Sequence, residues 1–148
     1  MIWLVAEDEA DIRMLVATMI QVWGHETVVF ENGQKVWDWL DTIETTTNGN
    51  GSHENGSKSA RVPDLILMDI RMPGKKGNEI ARRMRTLPQM QQIPIVLMTA
   101  FSLNEIERQE MMAEGGVDRI ISKPLPDFEQ LRQILHDLVE QKRTEANS

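Results

Sequence analysis

The 148-residue chain contains no cysteine. A disulfide framework, thiolate metal sites and a cysteine nucleophile are thereby excluded, and the composition fits a reducing compartment such as the cytosol. No apolar run approaches the roughly 18 residues of a membrane span. The first apolar stretch, Met1-Ile2-Trp3-Leu4-Val5, has no basic segment before it and runs into acid at Glu7, which is not the layout of a signal peptide. Positive charge is also in deficit: 16 Lys and Arg face 23 Asp and Glu, a formal net charge of −7. That sign disfavours direct nonspecific binding to nucleic acid or to an anionic membrane surface. The expectation is a cytoplasmic protein that touches neither. At 41% hydrophobic and 26% charged residues the chain is rich enough in apolar side chains to bury a core, and its length suits one domain.

Short apolar runs alternate with segments of helical period, the pattern of a parallel sheet with crossover helices. Ile2–Ala6 is apolar throughout, as befits a strand buried on both faces. Ile12, Leu15, Val16, Met19, Ile20 and Trp23 then recur at three- and four-residue steps, with Gly24 where a C-terminal cap belongs. Thr27–Phe30 predicts a second strand and Gln34–Ile43 a second helix. From Thr45 to about residue 60 the chain is mostly Thr, Asn, Gly and Ser, too polar to order itself, and a long flexible insertion is expected there. Leu65–Met68, Ile93–Met98 and Val117–Ile121 complete five strands. Asn78–Thr86 predicts a basic helix, and Ser102 with Glu105 a capping box that opens a fourth. The last helix, near Asp127–Gln141, has Asp127 as its cap and Gln130 at the third position. The pattern describes one doubly wound α/β domain over residues 1–141, with helices on both faces of a five-stranded parallel sheet and a polar C-terminal tail at 142–148.

In open α/β sheets, ligands bind beyond the carboxyl ends of the strands. Glu7, Asp8 and Glu9 follow the first strand, Asp69 the third, Thr99 the fourth and Lys123 the fifth. Parallel packing therefore gathers several carboxylates, one hydroxyl and one ammonium at one edge. Two unit charges about 4 Å apart repel by about 4 kcal/mol at an effective dielectric of ~20. Crowded carboxylates need a cationic partner or must take up protons. Oxygen ligands without Cys or a nearby His favour a hard divalent cation, Mg²⁺ first among them. A carboxylate beside such an ion is a nucleophile toward a phosphoryl group, forming an aspartyl phosphate. The lysine and the threonine hydroxyl are then available to the equatorial oxygens of the transition state.

The stretches Leu4-Val5-Ala6-Glu7-Asp8-Glu9, Asp64-Leu65-Ile66-Leu67-Met68-Asp69-Ile70-Arg71-Met72-Pro73-Gly74, Gly77, Ile95-Val96-Leu97-Met98-Thr99-Ala100 and Ser122-Lys123-Pro124 resemble, in this order and on these elements, a receiver domain of the two-component response-regulator family. The resemblance runs from Ile2 to about Glu140 and implies a flavodoxin-like sheet of strand order 2-1-3-4-5. It implies that Asp69 is the phosphoacceptor, supplied by a sensor histidine kinase or phosphotransfer protein. Asp8 would ligate Mg²⁺ (or another hard divalent cation), Glu7 would do so directly or through water, and Asp69 and the backbone carbonyl of Arg71 would complete the protein's share. Thr99 would be the switch hydroxyl and Lys123 the phosphate contact, with a cis bond between Lys123 and Pro124. A downstream effector protein would read the face built from the fourth helix, fifth strand and last helix. The expected role is a stand-alone switch and not an enzyme, limited to taking up a phosphoryl group and slowly losing it. Two positions depart from the family pattern: Glu7 stands where many members have Asp, and Ile120 where the family usually carries Tyr or Phe as a rotameric switch. Arg71 occupies a position at which members vary and access of water is tuned, and Phe101, two beyond Thr99, is a candidate substitute for the missing aromatic.

Plainer readings apply to several residues. Glu9 and Asp11 read as solvated acids of a first helical turn. The run Arg71, Lys75, Lys76, Arg82, Arg83, Arg85 reads as a solvated basic face. His25, His53 and His136 are scattered and read as surface or packing residues. Gly51–Ser59 is one residue off a phosphate-loop pattern, but it lies in the polar insertion and is set aside. The rival functions are a Mg²⁺-dependent phosphohydrolase, a partner-binding pseudo-receiver and a flavodoxin-like nucleotide binder. A phosphohydrolase of the haloacid-dehalogenase type needs Asp where Arg71 stands, and acids at Glu7–Glu9 repel a nucleotide phosphate. The complete set Glu7, Asp8, Asp69, Thr99 and Lys123 argues against the pseudo-receiver. Acids crowd the fourth helix, so little of it is buried, and it is expected to shift on phosphorylation.

Overall fold

The computed structural model describes residues 1–48 and 62–146. Strands β1 (Ile2–Ala6), β2 (Glu26–Phe30), β3 (Leu65–Asp69), β4 (Ile95–Thr99) and β5 (Arg119–Ser122) pair in parallel in the order β2-β1-β3-β4-β5. The helices are α1 (Ala10–Val22), α2 (Gly33–Asn48), α3 (Gly77–Met84), α4 (Glu105–Gln109), prolonged by a π-helical turn at Glu110–Glu114, and α5 (Phe128–Ala146). The expected fold class and strand order are both observed.

The apolar strands are explained by what covers each face. Side chains alternate along a strand, so Trp3, Val5, Leu65, Leu67, Val96 and Met98 pack against Val16, Met19 and Ile20 of α1 and Leu131, Leu135 and Val139 of α5. Their neighbours Leu4, Ala6, Ile66, Met68, Ile95 and Leu97 pack on the other side against Val36, Leu40 and Ile43 of α2 and Ile80, Ala81 and Met84 of α3. With both faces covered, no strand position among these has reason to be polar until the chain leaves the sheet at Glu7, Asp69 and Thr99.

Several expectations are corrected. Helix α2 continues past Ile43 to Asn48, into the start of the expected insertion; the remainder of that insertion, with His53 and the phosphate-loop-like stretch, lies outside the described residues. Helix α5 passes Gln141 and ends at Ala146, so most of the expected tail is helical, and Lys142 there pairs with Asp118 at 3.0 Å. The capping box of α4 is built by Asn104 and not Ser102: Asn104 Oδ1 accepts from the Glu107 amide at 2.8 Å, and Glu107 Oε1 from the Asn104 amide at 3.1 Å. Both pairs have the right spacing, and the one two residues further on is used. The basic run is solvated only in part: Lys76 and Arg82 are exposed, whereas Arg83 contacts Asp41 and Glu44 at 2.6 and 2.7 Å, and Lys75 and Arg83 both lie over the Trp37 ring. His25 and His136 meet, Nε2 to Nε2 at 2.9 Å, against the ring of Trp3. As expected, α4 is poorly anchored. None of its residues is buried, and Ile106 is 70% exposed. No described helix is long and apolar enough to cross a membrane.

Candidate functional site

Glu7 leaves β1 buried and fully shielded from solvent, while Asp8 beside it is exposed. The Glu7 amide donates to Phe30 O across the β1–β2 edge, and Oε2 accepts from the Glu9 amide at 3.1 Å. Arg13 of α1 donates to the carbonyls of Glu7 at 2.8 Å and Asp8 at 3.4 Å, fixing the β1–α1 turn. Asp69 closes β3 at 7% exposure, and Thr99 closes β4 at 3%. Lys123 follows β5, its amide bonded to Thr99 O at 2.7 Å and its bond to Pro124 cis, as expected. Its Nζ lies 2.8 Å from Glu7 Oε1, 3.2 Å from Asp69 Oδ2 and 3.9 Å from Glu9 Oε1. Residues that end or follow three separate strands, β1, β3 and β5, thus meet at one point.

Glycine makes room for this arrangement. Gly77 opens α3 with its amide bonded to Ile70 O at 2.9 Å, and a β-carbon there would strike the backbone carbonyl of Asp69. A cavity of about 440 Å³ opens beside the acids, lined by Asp8, Arg71, Met72, Pro73 and Lys76. Arg71 is exposed, and its guanidinium lies 4.0 Å from the centre of the Phe101 ring. The Thr99 hydroxyl is turned to Phe101 as well, donating to its carbonyl at 3.2 Å and accepting from its amide at 3.0 Å.

One oxygen from each of Glu7, Asp8 and Asp69 falls within 4.8 Å of the others, the single such cluster among the described residues. Burial pushes the Glu7 carboxyl above its ordinary range, and the charge of Asp69 adds to this; Lys123 and the Glu9 amide pull the other way. Burial alone would lower the Lys123 ammonium, but Glu7 and Asp69 outweigh it and hold it above its usual value. Three carboxylates less one ammonium leave two negative charges. Glu7 Oε1 is buried and meets the Lys123 ammonium at 2.8 Å, a contact that leaves one of its lone pairs without a donor. An all-oxygen donor set with that residual charge and an unused buried lone pair fits a hard divalent cation.

Residues 3–136 match the family model of the response regulator receiver domain. The chain belongs to that family. This receiver, a domain of two-component signalling, is 31% identical over 121 residues to the phosphate regulon transcriptional regulatory protein PhoB of Pseudomonas aeruginosa, covering 82% of this chain and 44% of that one. To the polar-differentiation response regulator DivK of Brucella anthropi it is 29% identical over 122 residues, covering 82% of the receiver and 83% of DivK. It therefore spans less than half of PhoB and most of DivK. Among solved structures, the CheY-like response regulator receiver domain protein of Methanospirillum hungatei matches with TM-score 0.74 at 17% identity, over 97% of each chain. The receiver domain of sensor histidine kinase PA1611 of P. aeruginosa, which has a magnesium ion coordinated in its active site cleft, matches with TM-score 0.66 at 19% identity, over 94% of the receiver and 97% of that chain. At these identities the likeness is one of fold.

All five side chains picked from the sequence lie at this edge of the sheet, and Glu7, Asp69 and Lys123 are in contact. Thr99 lies at the edge but faces Phe101. Glu9, read as a solvated acid, is at the margin of the Lys123 contact. Arg13 was not singled out at all; its one signal is its place a turn into α1, facing back on the loop that carries the acids.

Proposed function

We propose that Asp69 accepts a phosphoryl group from a histidine of a sensor kinase or phosphotransfer protein, with Glu7, Asp8, Asp69 and the Arg71 carbonyl holding Mg²⁺ or another hard divalent cation. The observation that carries this reading is Lys123 Nζ lying between Glu7 and Asp69, with Asp8 in ligating range, at the carboxyl edge of the sheet. In the transfer an Asp69 carboxylate oxygen forms a bond to phosphorus, the phosphorus–nitrogen bond to the donor imidazole breaks, and its electron pair returns to the ring nitrogen. Lys123 then exchanges its contact with Asp69 for a phosphoryl oxygen while keeping Glu7, and Thr99 rotates to donate to another. The cation, when bound, neutralises charge developing on those oxygens.

An apolar groove of about 510 Å³ between α1 and the β5–α5 turn, lined by Ile12, Leu15, Met19, Leu125 and Phe128, opens beside Lys123 and offers the donor protein a seat within reach of Asp69. The weakly anchored α4 is the element most cheaply moved, so the α4–β5–α5 face is where a downstream effector protein would read the phosphorylated state. The protein in this reading is a cytoplasmic switch that turns over no external substrate, and its net charge of −7 supports protein partners over direct nucleic-acid contact. Treatment with acetyl phosphate and Mg²⁺, followed by intact mass, should add one phosphoryl group to the wild type and none to Asp69→Asn. Equal labelling of both would place the acceptor elsewhere.

A further inference from the structure

We infer that Arg71 and Phe101 form a latch that holds the unphosphorylated receiver by keeping Thr99 away from Asp69, in place of an aromatic switch on β5. The inference rests on Asp69 being the phosphoacceptor. Three contacts converge on Phe101: the Thr99 hydroxyl donates to its carbonyl, its amide donates back to that hydroxyl, and the Arg71 guanidinium covers its ring at 4.0 Å. Arg71 stands two residues after Asp69 on the β3–α3 loop, and Phe101 two residues after Thr99 on the β4–α4 loop. The pair therefore clasps the two loops on either side of the site. A hydroxyl has one proton to donate. Thr99 cannot bond a phosphoryl oxygen on Asp69 until it withdraws that proton from the Phe101 carbonyl, which loosens the segment bearing the clasped ring. At the usual switch position Ile120 is 9% exposed and packed among aliphatic side chains, so β5 has no ring that could follow the hydroxyl.

Arg71 and Phe101 are thus positioning residues acting through Thr99. A cation–π contact at an exposed site is weak, and removing it should favour the activated state by about two- to fivefold. The test uses the full chain with Mg²⁺ and beryllofluoride, a phosphoryl mimic. By nuclear magnetic resonance the Arg71 side chain should carry an upfield ring-current shift that disappears at saturation, in step with the Thr99 amide. Phe101→Leu, at a half-exposed position, should bind beryllofluoride about two- to fivefold more tightly, with Ala100–Leu103 signals displaced toward their activated positions, and Phe101→Trp should restore wild-type behaviour. A ring-current shift that survives saturation, or unchanged affinity in Phe101→Leu, overturns the latch. Wild type that takes no phosphoryl group on Asp69 from acetyl phosphate overturns the phosphoacceptor reading and the latch with it, whereas Asp69 labelling with an unmoved Arg71 overturns the latch alone.

Discussion

Glu7 and Lys123 depend on each other unequally. Glu7 has no solvent exposure, whereas Lys123 is 10% exposed and keeps a second partner in Asp69. Removing one member of a buried pair strands the other charge, at a cost of about 3 kcal/mol or more. Lys123→Met strands two carboxylates and should lower the unfolding free energy by about 3 kcal/mol in chelator. Glu7→Gln leaves Lys123 paired with Asp69 and should cost about 1 kcal/mol or less; urea titration of both variants checks the ranking, and equal losses would contradict it. The histidine pair makes a second prediction. His136 Nδ1 faces the Arg132 carbonyl at 2.7 Å, and a carbonyl only accepts, so that nitrogen carries the proton and His136 Nε2 is left to accept from His25. His25 Nδ1 is then a buried bare nitrogen with no partner for a second proton. Burial first, then the charge of His136, lowers the His25 pKa below 6.5. At His25 the unfolded chain therefore binds a proton before the folded one as pH falls, and the contribution of His25 is complete above about pH 6.5 and lost as pH falls below it. Urea midpoints measured from pH 7.5 down to 5 should fall for the wild type and flatten in His25→Phe, which keeps the stacking on Trp3 and removes the titrating group.

At the scale of elements, what was legible in the sequence was whatever periodicity records. The strands and α3 begin and end within two residues of expectation; β1 and most of β3 and β4 are uninterrupted apolar runs, and the others have apolar residues at their centres. The ends of α2 and α5 were missed because polar residues with no apolar stripe extend a helix as readily as they end it, and Lys142 anchors the last turns of α5 to Asp118, 24 positions earlier in the chain. The α4 cap was misplaced because Ser102 and Asn104 each precede a Glu by three residues, and spacing alone does not choose between them. Asp118 shows how far such long-range ties reach. Its Oδ2 accepts from Arg85, which caps the end of α3, at 2.9 Å and from the Ile95 amide that opens β4 at 2.9 Å, and its Oδ1 meets Lys142 of α5 at 3.0 Å. Asp118→Ala leaves a half-buried guanidinium and a strand amide without their acceptor, so it should cost about 3 kcal/mol. Arg132→Ala, which removes only an exposed contact with Glu129, should change stability by about 0.5 kcal/mol or less. Thermal unfolding of the two variants checks the contrast, and a loss below about 1 kcal/mol for Asp118→Ala would show that the three-way tie contributes little.

At the scale of the whole molecule, the site was legible because topology did the gathering. Residues 7, 8, 69, 99 and 123 are far apart in sequence, but each ends or follows a parallel strand, and parallel strands have their carboxyl ends on one edge. Rotamers were not legible: nothing in the spacing says that Thr99 faces Phe101 or that Arg71 covers its ring, because both are choices among side-chain wells that the backbone leaves open. The same topology concentrates acid at one edge of a chain whose net charge is already −7. Folding must therefore bring Glu7, Asp8 and Asp69 together against their own repulsion, and a divalent cation that binds only the folded site relieves it. At a concentration 100 times its dissociation constant, such an ion stabilises by about 2.7 kcal/mol, which for a domain of this size raises the melting temperature by about 5–10 °C. Asp8 is exposed and holds no part of the core, so Asp8→Asn, which only relieves repulsion in the empty cluster, should leave the melting temperature in chelator at or slightly above that of wild type while abolishing most of the rise with Mg²⁺. Matching the ionic strength with sodium chloride separates the two causes: screening of surface charge raises both proteins alike, whereas occupation of the acid cluster raises only the one that retains Asp8.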